Sequence, residues 1–302
     1  MSIKIQNISK YYDEQLALNN VSFQVNSGEI VGFLGPNGAG KSTTMKIISC
    51  FIKPSEGDVF VDEISIHSDE IAVKSKIGYL PENNPLYEDL YVRESIGFIA
   101  QMHKIKDIKS AVENVIEKVG LSKEAHKKIG QLSKGYQQRV GIAQAIVHNP
   151  KVLILDEPTS GLDPNQLDEI RSLIKDLGKN KTVMLSTHIM QEVESICDRI
   201  VVINNGKIVA DRKLDDNNET KREQKEQKLL VEFEQKITLS ELKKSFSKAS
   251  IKSKENQWVF TYDGKEDLRR LISRYAQKND LLILEMQQHS DNLEDLFKKL
   301  TK

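Results

Sequence analysis

One glycine-rich stretch has residue types and spacing that suit phosphate chemistry. Residues 35–42, Gly-Pro-Asn-Gly-Ala-Gly-Lys-Ser, match the pattern G-x-x-x-x-G-K-S/T. Glycines at these spacings let backbone N–H groups curl around phosphate oxygens, and a helix that follows adds its positive N-terminus. Lys41 is then placed to reach the outer phosphates, and the Ser42 hydroxyl to hold Mg²⁺. The pattern predicts a nucleotide phosphate site formed by Gly35, Pro36, Asn37, Gly38, Ala39, Gly40, Lys41, Ser42 and Thr43.

Two adjacent carboxylates, Asp156 and Glu157, follow the apolar run Val152–Leu155. Such a run is typical of a buried strand, and an acidic residue at its end is by itself a common structural feature. Together with the phosphate site, the pair has a chemical interpretation. Asp156 is expected to hold Mg²⁺, while Glu157 points elsewhere and is expected to polarise an attacking water.

The elements around these residues predict an α/β fold. Glu29–Leu34 has the pattern of a buried strand before the glycine loop, and Lys41–Phe51 has helical spacing after it. Strand, glycine loop and helix in this order form the expected context for a phosphate-binding motif. Strands and helices continue to alternate further along the chain, which predicts a parallel sheet. These later elements are expected at 151–155, 166–177, 182–186 and 191–197.

Two other regions have a different spacing of apolar residues. Residues 3–62 are mostly strand-like, whereas residues from about 85 to 148 carry apolar residues at three- and four-residue steps and predict an all-helical insert. Its helices are expected at 86–101, 108–119 and 136–148. Asn204-Asn205-Gly206 lies between two short strand patterns and predicts a hairpin, because Asn and Gly tolerate positive φ.

A run of charged and amide residues marks a domain boundary. We predict a large domain at 1–215, a linker at 216–228 and a small accessory domain at 229–302. The small domain has the order β-α-β-β-α-β, which is typical of a split-βαβ, ferredoxin-like α+β fold. Its last helix is expected at 293–300, and its role stays open between regulation and dimer contact.

Composition limits the partners. Of the 302 residues, Lys and Arg number 44 and so do Asp and Glu, so no basic excess predicts a nucleic-acid partner. The longest apolar runs are far shorter than the roughly 18 residues of a membrane span. Cys50 and Cys197 lack metal-ligand spacing and suit reduced core thiols. We expect a cytoplasmic protein that reaches the inner face of a membrane only through a partner.

Further motifs appear in an order that resembles the ATP-binding-cassette (ABC) ATPases. Leu132–Arg139 is similar to the signature motif of that family, and Ser160–Asp163 is similar to its D-loop. His188 resembles the switch histidine, and Tyr12 resembles the aromatic residue that stacks on adenine. Tyr11 is the rival for that position, but the spacing to Lys10 favours Tyr12. With the glycine loop and the acidic pair, these motifs extend from residue 1 to about 212.

The resemblance implies a P-loop NTPase cassette with an antiparallel β subdomain and a helical subdomain. It implies ATP and Mg²⁺ as cofactors, and ATP hydrolysis with Glu157 and His188 as catalytic residues. It also implies a head-to-tail dimer, with the same chain or a similar cassette. ATP would lie between the glycine loop of one copy and Ser133 and Gly135 of the other, with Asp163 at the dimer contact. A separate membrane permease would contact the helical insert.

Two positions depart from the family pattern. Ile77–Glu82 resembles the Q-loop, yet Glu82 stands where glutamine is usual. A carboxylate can still offer an oxygen to Mg²⁺, so we predict Glu82 as a metal ligand; the alternative is a plain surface residue of the loop. Lys134 replaces the first glycine of the usual signature and adds a cation there.

The functional hypotheses that remain differ in class. The sequence resembles ATP-binding subunits of export-type ABC transporters, and Pro81–Tyr87 with the C-terminal domain resembles those associated with gliding motility. One alternative is a soluble ABC ATPase acting on ribosomes or nucleic acid, which the absence of a basic excess disfavours. The other is a regulatory ATP-binding module without hydrolysis, which the presence of Glu157 disfavours.

Overall fold

The computed structural model describes residues 2–214, 227–235, 237–254, 257–263 and 267–289. The chain divides into two compact units, Met1–Leu214 and Asp215–Leu300. The predicted helix at 293–300 lies outside the described residues, as does most of the predicted linker. The accessory strand begins at Gln227, inside the range predicted for the linker.

A six-stranded sheet forms the centre of the first unit. Its strands, in spatial order, are β10 (Lys207–Lys213), β9 (Arg199–Asn204), β3 (Ile30–Leu34), β8 (Thr182–Thr187), β7 (Val152–Asp156) and β6 (Ile77–Leu80). All neighbours pair in parallel except β10 with β9. Every residue of β3, β7 and β8 is buried, because both faces of a parallel sheet are covered. The predicted parallel sheet is confirmed.

A second, antiparallel sheet lies in the N-terminal part. Its spatial order is β2 (Gln15–Val25), β1 (Ile3–Tyr12), β4 (Glu56–Val61) and β5 (Ile64–Ser65). One apolar cluster joins its inner residues, such as Ile3 and Val59, to Phe33 and Met45 of the central part. This cluster fixes the antiparallel sheet beside the glycine loop.

Seven α-helices and a short 3-10 helix, Ile129–Gln131, complete the described part of the first unit. The α-helices are α1 (Lys41–Ile48), α2 (Glu70–Lys76), α3 (Val92–Met102), α4 (Ile108–Lys118), α5 (Lys134–Ile146), α6 (Pro164–Gly178) and α7 (Met190–Ile196). A second apolar cluster packs α3, α4 and α5 together and against the sheet. The predicted combination of a mixed α/β core, an antiparallel sheet and a helical part is confirmed.

Three details differ from the sequence predictions. Helix α3 begins at Val92 rather than at Leu86, because the Glu94 carboxylate accepts a hydrogen bond from the Tyr91 N–H at 3.1 Å and caps the helix there. Helix α2 was not predicted, since its seven residues bury only Val73. Cys50 lies beyond the end of α1 with φ of 56°, so it is not part of that helix.

Both thiols are free and half-buried. Burial raises the pKa of Cys50 to about 11, and burial also raises the pKa of Cys197. Both side chains are therefore protonated near neutral pH and poorly nucleophilic.

In the second unit, strands and helices follow one another in the predicted order. Its elements are β11 (Gln227–Phe233), α8 (Leu239–Ser245), β12 (Ser250–Lys254), β13 (Gln257–Tyr262), α9 (Leu268–Lys278) and β14 (Ile283–His289). The sheet order β12-β13-β11-β14, all antiparallel, is the arrangement of a split-βαβ fold. Its core joins Leu229 and Phe260 of the sheet to Leu242 and Ile272 of the helices. Among the described residues of the whole chain, no helix has the length and apolarity needed to cross a membrane.

Candidate active site

The glycine loop connects β3 to α1, and three of its positions favour glycine. Gly40 has φ of 108° and Gly38 has φ of 79°, a backbone region that side chains disfavour. A Cβ on Gly40 would lie 2.6 Å from Leu18 Cδ2. A Cβ on Gly35 would lie 2.4 Å from the Ile203 carbonyl oxygen. The sequence of the loop thus suits both its backbone conformation and its contact with neighbouring strands.

A cleft of about 590 Å³ opens over this loop. That volume is in the range of small-molecule sites. Most of the predicted phosphate residues line it, together with Tyr12, Glu82 and Glu157, whereas Tyr11 does not. The lining residues are Tyr12, Gln15, Leu16, Ala17, Asn37, Gly38, Gly40, Lys41, Ser42, Thr43, Glu82, Glu157, Asn205 and Gly206.

Lys41 is folded back onto the loop. Its Nζ donates hydrogen bonds to the carbonyl oxygens of Gly35 at 2.9 Å and Pro36 at 3.3 Å. The same nitrogen lies 3.5 Å from Glu157 Oε1, and both side chains are more than nine-tenths buried. These carbonyls and the carboxylate hold the ammonium at the bottom of the cleft, where phosphate oxygens can take over its hydrogen bonds.

Asp156 ends β7 beneath the cleft and has two hydroxyl partners. Ser42 Oγ donates to Asp156 Oδ1 at 3.2 Å, and Ser186 Oγ donates to the same oxygen at 2.5 Å. Both hydrogen bonds go to Oδ1, so among the described residues Oδ2 is available to a cation. A hydroxyl and a carboxylate oxygen side by side are hard ligands of the type that Mg²⁺ prefers. Ser42 and Asp156 therefore fit Mg²⁺, with Glu82 as a third oxygen donor lining the same cleft.

Glu157 lies between a lysine and a histidine. Its Oε1 faces Lys41, and its Oε2 lies 3.0 Å from His188 Nδ1. Its backbone has φ of 51°, which is uncommon outside glycine, and strain of this kind concentrates at functional sites. The Glu157 N–H donates to the Ser186 hydroxyl at 3.0 Å and so fixes the residue in this conformation.

Tyr12 lines the cleft. Lys10 Nζ lies 5.4 Å from the ring centroid, a cation–π contact that orients the ring. Tyr12 is 45% exposed, so its ring is accessible to an aromatic base that could stack on it.

The signature residues lie away from this cleft. Ser133 is exposed at the N-cap of α5 and makes no capping hydrogen bond with its side chain. Gln166 Nε2 lies 3.4 Å from Ser133 Oγ, and a Cβ on Gly135 would lie 2.6 Å from the Gln166 amide. Asp163 serves as the N-cap of α6, where its Oδ1 accepts a hydrogen bond from the Gln166 N–H at 2.9 Å. Lys134 is exposed, and its ammonium group lies against Gly161.

Several site residues were not predicted from the sequence. Ser186 joins the acidic pair only because β7 and β8 are neighbours, with Asp156 opposite Ser186. The hairpin turn at Asn205 and Gly206 also borders the cleft, and the Gly206 N–H donates to the Ala39 carbonyl oxygen at 3.0 Å. The hairpin itself was visible in the sequence, but its contact with the glycine loop was not.

The glycine loop at a strand-to-helix junction and the acidic residues at the end of β7, a parallel strand separated from β3 by β8 in the same sheet, define a P-loop nucleotide hydrolase. Comparison with known proteins narrows the class. The sequence model of the ABC transporter family matches residues 18–160. Over 300 residues the chain is 33% identical to the uncharacterized ABC transporter ATP-binding protein YxlF of Bacillus subtilis (strain 168), with 99% of each protein covered.

Another relative and a solved structure agree with this family. The chain is 33% identical over 310 residues to the bacitracin transport ATP-binding protein BcrA of Bacillus licheniformis, which covers 99% of this chain and 96% of that protein. The dimeric, post-hydrolysis structure of the ATP-binding cassette MJ0796 bound to ADP and Pi matches with a TM-score of 0.65 and 30% identity, over 71% of this chain and 99% of that one. The chain belongs to the ABC transporter ATP-binding proteins. It is an ATPase that uses ATP with Mg²⁺.

Proposed function

We propose that this chain is the ATP-hydrolysing subunit of an export-type ABC transporter and works as a dimer on a separate membrane permease. The observation that carries the proposal is the separation of the two halves of the site. Lys41 and Glu157 border the cleft, whereas Ser133 and Gly135 lie outside it on the same chain. A second copy, turned head to tail, supplies the missing half.

Within one copy, different residues bind the phosphates, the adenine and the cation and activate the attacking water. The backbone of the glycine loop and Lys41 bind the phosphates, and Tyr12 stacks on the adenine. Ser42, Asp156 and Glu82 would hold Mg²⁺, which would neutralise charge on the phosphates. Glu157 accepts a proton from the attacking water, and His188 orients the Glu157 carboxylate.

The second copy adds the N-terminus of α5. Ser133 and the Gly135 N–H approach the terminal phosphate of the nucleotide held by the first copy, because a helix N-terminus favours negative charge. Asp163 lies near this contact. Loss of the terminal phosphate on hydrolysis removes the anion that holds the copies together, and the dimer opens.

Export is the direction of transport that we favour. A relative over nearly the whole chain is named for bacitracin transport. The narrower prediction of a gliding-motility role is supported only by the resemblance of Pro81–Tyr87 and of the accessory domain. The chain would lie on the cytoplasmic face of the membrane through its permease. The alternative of a soluble ATPase acting on ribosomes or nucleic acid has no basic excess to support it.

ATP-dependent dimerisation of a Glu157→Gln variant tests the proposal. Replacing the carboxylate by an amide removes the proton acceptor but keeps the shape of the side chain, so the ATP-bound dimer should accumulate. Static light scattering should give the monomer mass without nucleotide and the dimer mass with ATP and Mg²⁺. A Glu117→Gln variant, changed on an exposed face of α4, should hydrolyse ATP at the parent rate and is the matched control.

Adding Ser133→Arg to Glu157→Gln separates the sandwich from other dimers. A bulky cation at the proposed contact should prevent the dimer while leaving ATP binding by the monomer intact. A Glu157→Gln chain that binds ATP and stays monomeric contradicts the proposed dimer. Turnover by Glu157→Gln at the parent rate contradicts the catalytic role of Glu157.

A further inference from the structure

Tyr79 carries a hydroxyl group that the proposed mechanism does not use. It lies in β6, directly opposite Ile154 of the parallel strand β7. Alternate residues of a strand face the same side, so Tyr79 and Asp156 project from the same face of the sheet. That face holds α1 and the Ser42 hydroxyl bound to Asp156. Tyr79 therefore lies beneath the proposed magnesium site.

The Tyr79 hydroxyl oxygen is fully buried and has no hydrogen-bond partner within the described part of the chain. A buried hydroxyl without a partner costs folding free energy, whereas a phenylalanine of the same shape would avoid that cost. The ring packs against the apolar cluster around Ile77, which a phenylalanine would fill equally well. Packing alone thus gives no reason for the hydroxyl.

The negative charges of two carboxylates act on this hydroxyl. Burial raises the pKa of Tyr79, and the negative charges of Asp156 and then Glu82 raise it further. The phenol keeps its proton at physiological pH and can act only as a donor toward these groups. Asp156 already accepts hydrogen bonds from Ser42 and Ser186.

Glu82 is the acceptor that is still available. Its side chain is exposed at the cleft, and over residues 2–214 its carboxylate has no hydrogen bond or ion pair. Only Leu80 and Pro81 separate it from Tyr79. Asn84 anchors the far side of this loop, because its Nδ2 donates to the Gln137 carbonyl oxygen at 2.9 Å. A loop held at both ends can turn one side chain inward without unfolding.

We propose that Tyr79 is a positioning residue of the magnesium site, whose hydroxyl donates a hydrogen bond to the Glu82 carboxylate when that side chain turns inward around Mg²⁺ and ATP. The hydrogen bond fixes one oxygen of Glu82 and leaves the other for the cation. It also offsets the repulsion between Glu82 and Asp156, two carboxylates that share one site. This inference rests on the metal-binding roles proposed for these two residues.

The test replaces only the hydroxyl, with Tyr79→Phe in the Glu157→Gln background. Isothermal calorimetry measures ATP binding at a series of Mg²⁺ concentrations, and thermal unfolding is measured without nucleotide. We expect the half-saturating Mg²⁺ concentration to rise roughly tenfold, the scale for losing a partner that orients a metal ligand. The melting temperature should stay equal or increase, because an unmet hydrogen bond is removed. A purely structural tyrosine would not give this combination.

Two comparisons make the result decisive. In a Glu82→Ala background, Tyr79→Phe should raise the half-saturating Mg²⁺ concentration by less than half as much, because the acceptor of the Tyr79 hydroxyl is gone. A Tyr275→Phe variant in the accessory unit controls for loss of a phenol elsewhere. Unchanged Mg²⁺ dependence in Tyr79→Phe, or an equal penalty with and without Glu82, overturns the inference. If the Glu157→Gln parent itself binds ATP without any Mg²⁺ dependence, the proposed metal site fails instead.

Discussion

His188 Nδ1 lies 3.0 Å from Glu157 Oε2, although 31 positions separate the two residues in the chain. Because a carboxylate can only accept, Nδ1 carries the hydrogen of this contact. The histidine side chain is 48% exposed, while that of Glu157 is 8% exposed. A half-exposed ring thus fixes the orientation of a buried carboxylate.

The contact predicts the effect of His188→Ala. Loss of the histidine leaves Glu157 Oε2 without its partner and lets the carboxylate turn toward Lys41. We expect kcat to fall by about 10²–10⁴, the usual range for a disabled general base, with little change in KM. Phosphate release at saturating and limiting ATP separates the two constants. His126→Ala, at an exposed position outside the cleft, is the control, and kcat within threefold of the parent would contradict the role.

Ser186 links the two acidic residues. Its hydroxyl accepts from the Glu157 N–H at 3.0 Å and donates to Asp156 Oδ1 at 2.5 Å, and the residue is completely buried. Ser186→Ala should lower the free energy of unfolding by about 1–3 kcal/mol, because two buried polar groups each lose one hydrogen-bond partner. It should also raise the Mg²⁺ concentration needed for half-maximal ATP hydrolysis.

Urea unfolding and a Mg²⁺ titration of ATP hydrolysis measure the two effects of Ser186→Ala. The matched control is Ser75→Ala, where an exposed hydroxyl bonds only to the Ala72 carbonyl oxygen. Parental stability together with parental Mg²⁺ dependence would show that Ser186 does not organise the site.

His148 makes stability depend on pH in a defined window. Burial, and then the charge of the neighbouring His103, lower its pKa to about 4, while its hydrogen bond to the Ile77 carbonyl oxygen opposes this. The two rings stack with centroids 3.7 Å apart. The unfolded chain takes up a proton near pH 6.5, whereas the folded chain resists protonation until about pH 4. Stability is therefore complete above about pH 6.5 and falls as the pH decreases toward 4.

The free energy of unfolding that is lost through protonation of His148 is about 3 kcal/mol at most, from the difference between its pKa in the unfolded and in the folded chain. A His148→Gln variant should show a flatter dependence of melting temperature on pH between 6.5 and 4. His126→Gln should keep the parental slope. The acidic group Asp62 does not interfere, because its pKa is lowered to about 2, mainly by hydrogen bonds from Lys151 and then Lys76, so its contribution is lost only below about pH 4. Equal slopes for parent and His148→Gln would contradict the prediction.

Local patterns in the sequence were sufficient for much of the fold. The strand, glycine loop and helix around Lys41 depend on residues a few positions apart, as does the hairpin turn, where Asn205 has φ of 48° and Gly206 has φ of 73°. The helical insert was predicted, but its first helix began six residues late, at Val92, because a capping interaction rather than periodicity decides where it starts.

The sequence by itself determined that this chain has a phosphate-binding loop, an acidic pair after a buried strand and a ferredoxin-like order of elements in its accessory unit, because backbone preferences and hydrophobic periods are short-range properties. Only the tertiary structure decided which distant side chains meet. The parallel register of β7 and β8 brings Ser186 to Asp156, and the layer above β6 buries the Tyr79 hydroxyl. These contacts depend on strand order and packing between residues far apart in the chain, which no local pattern encodes.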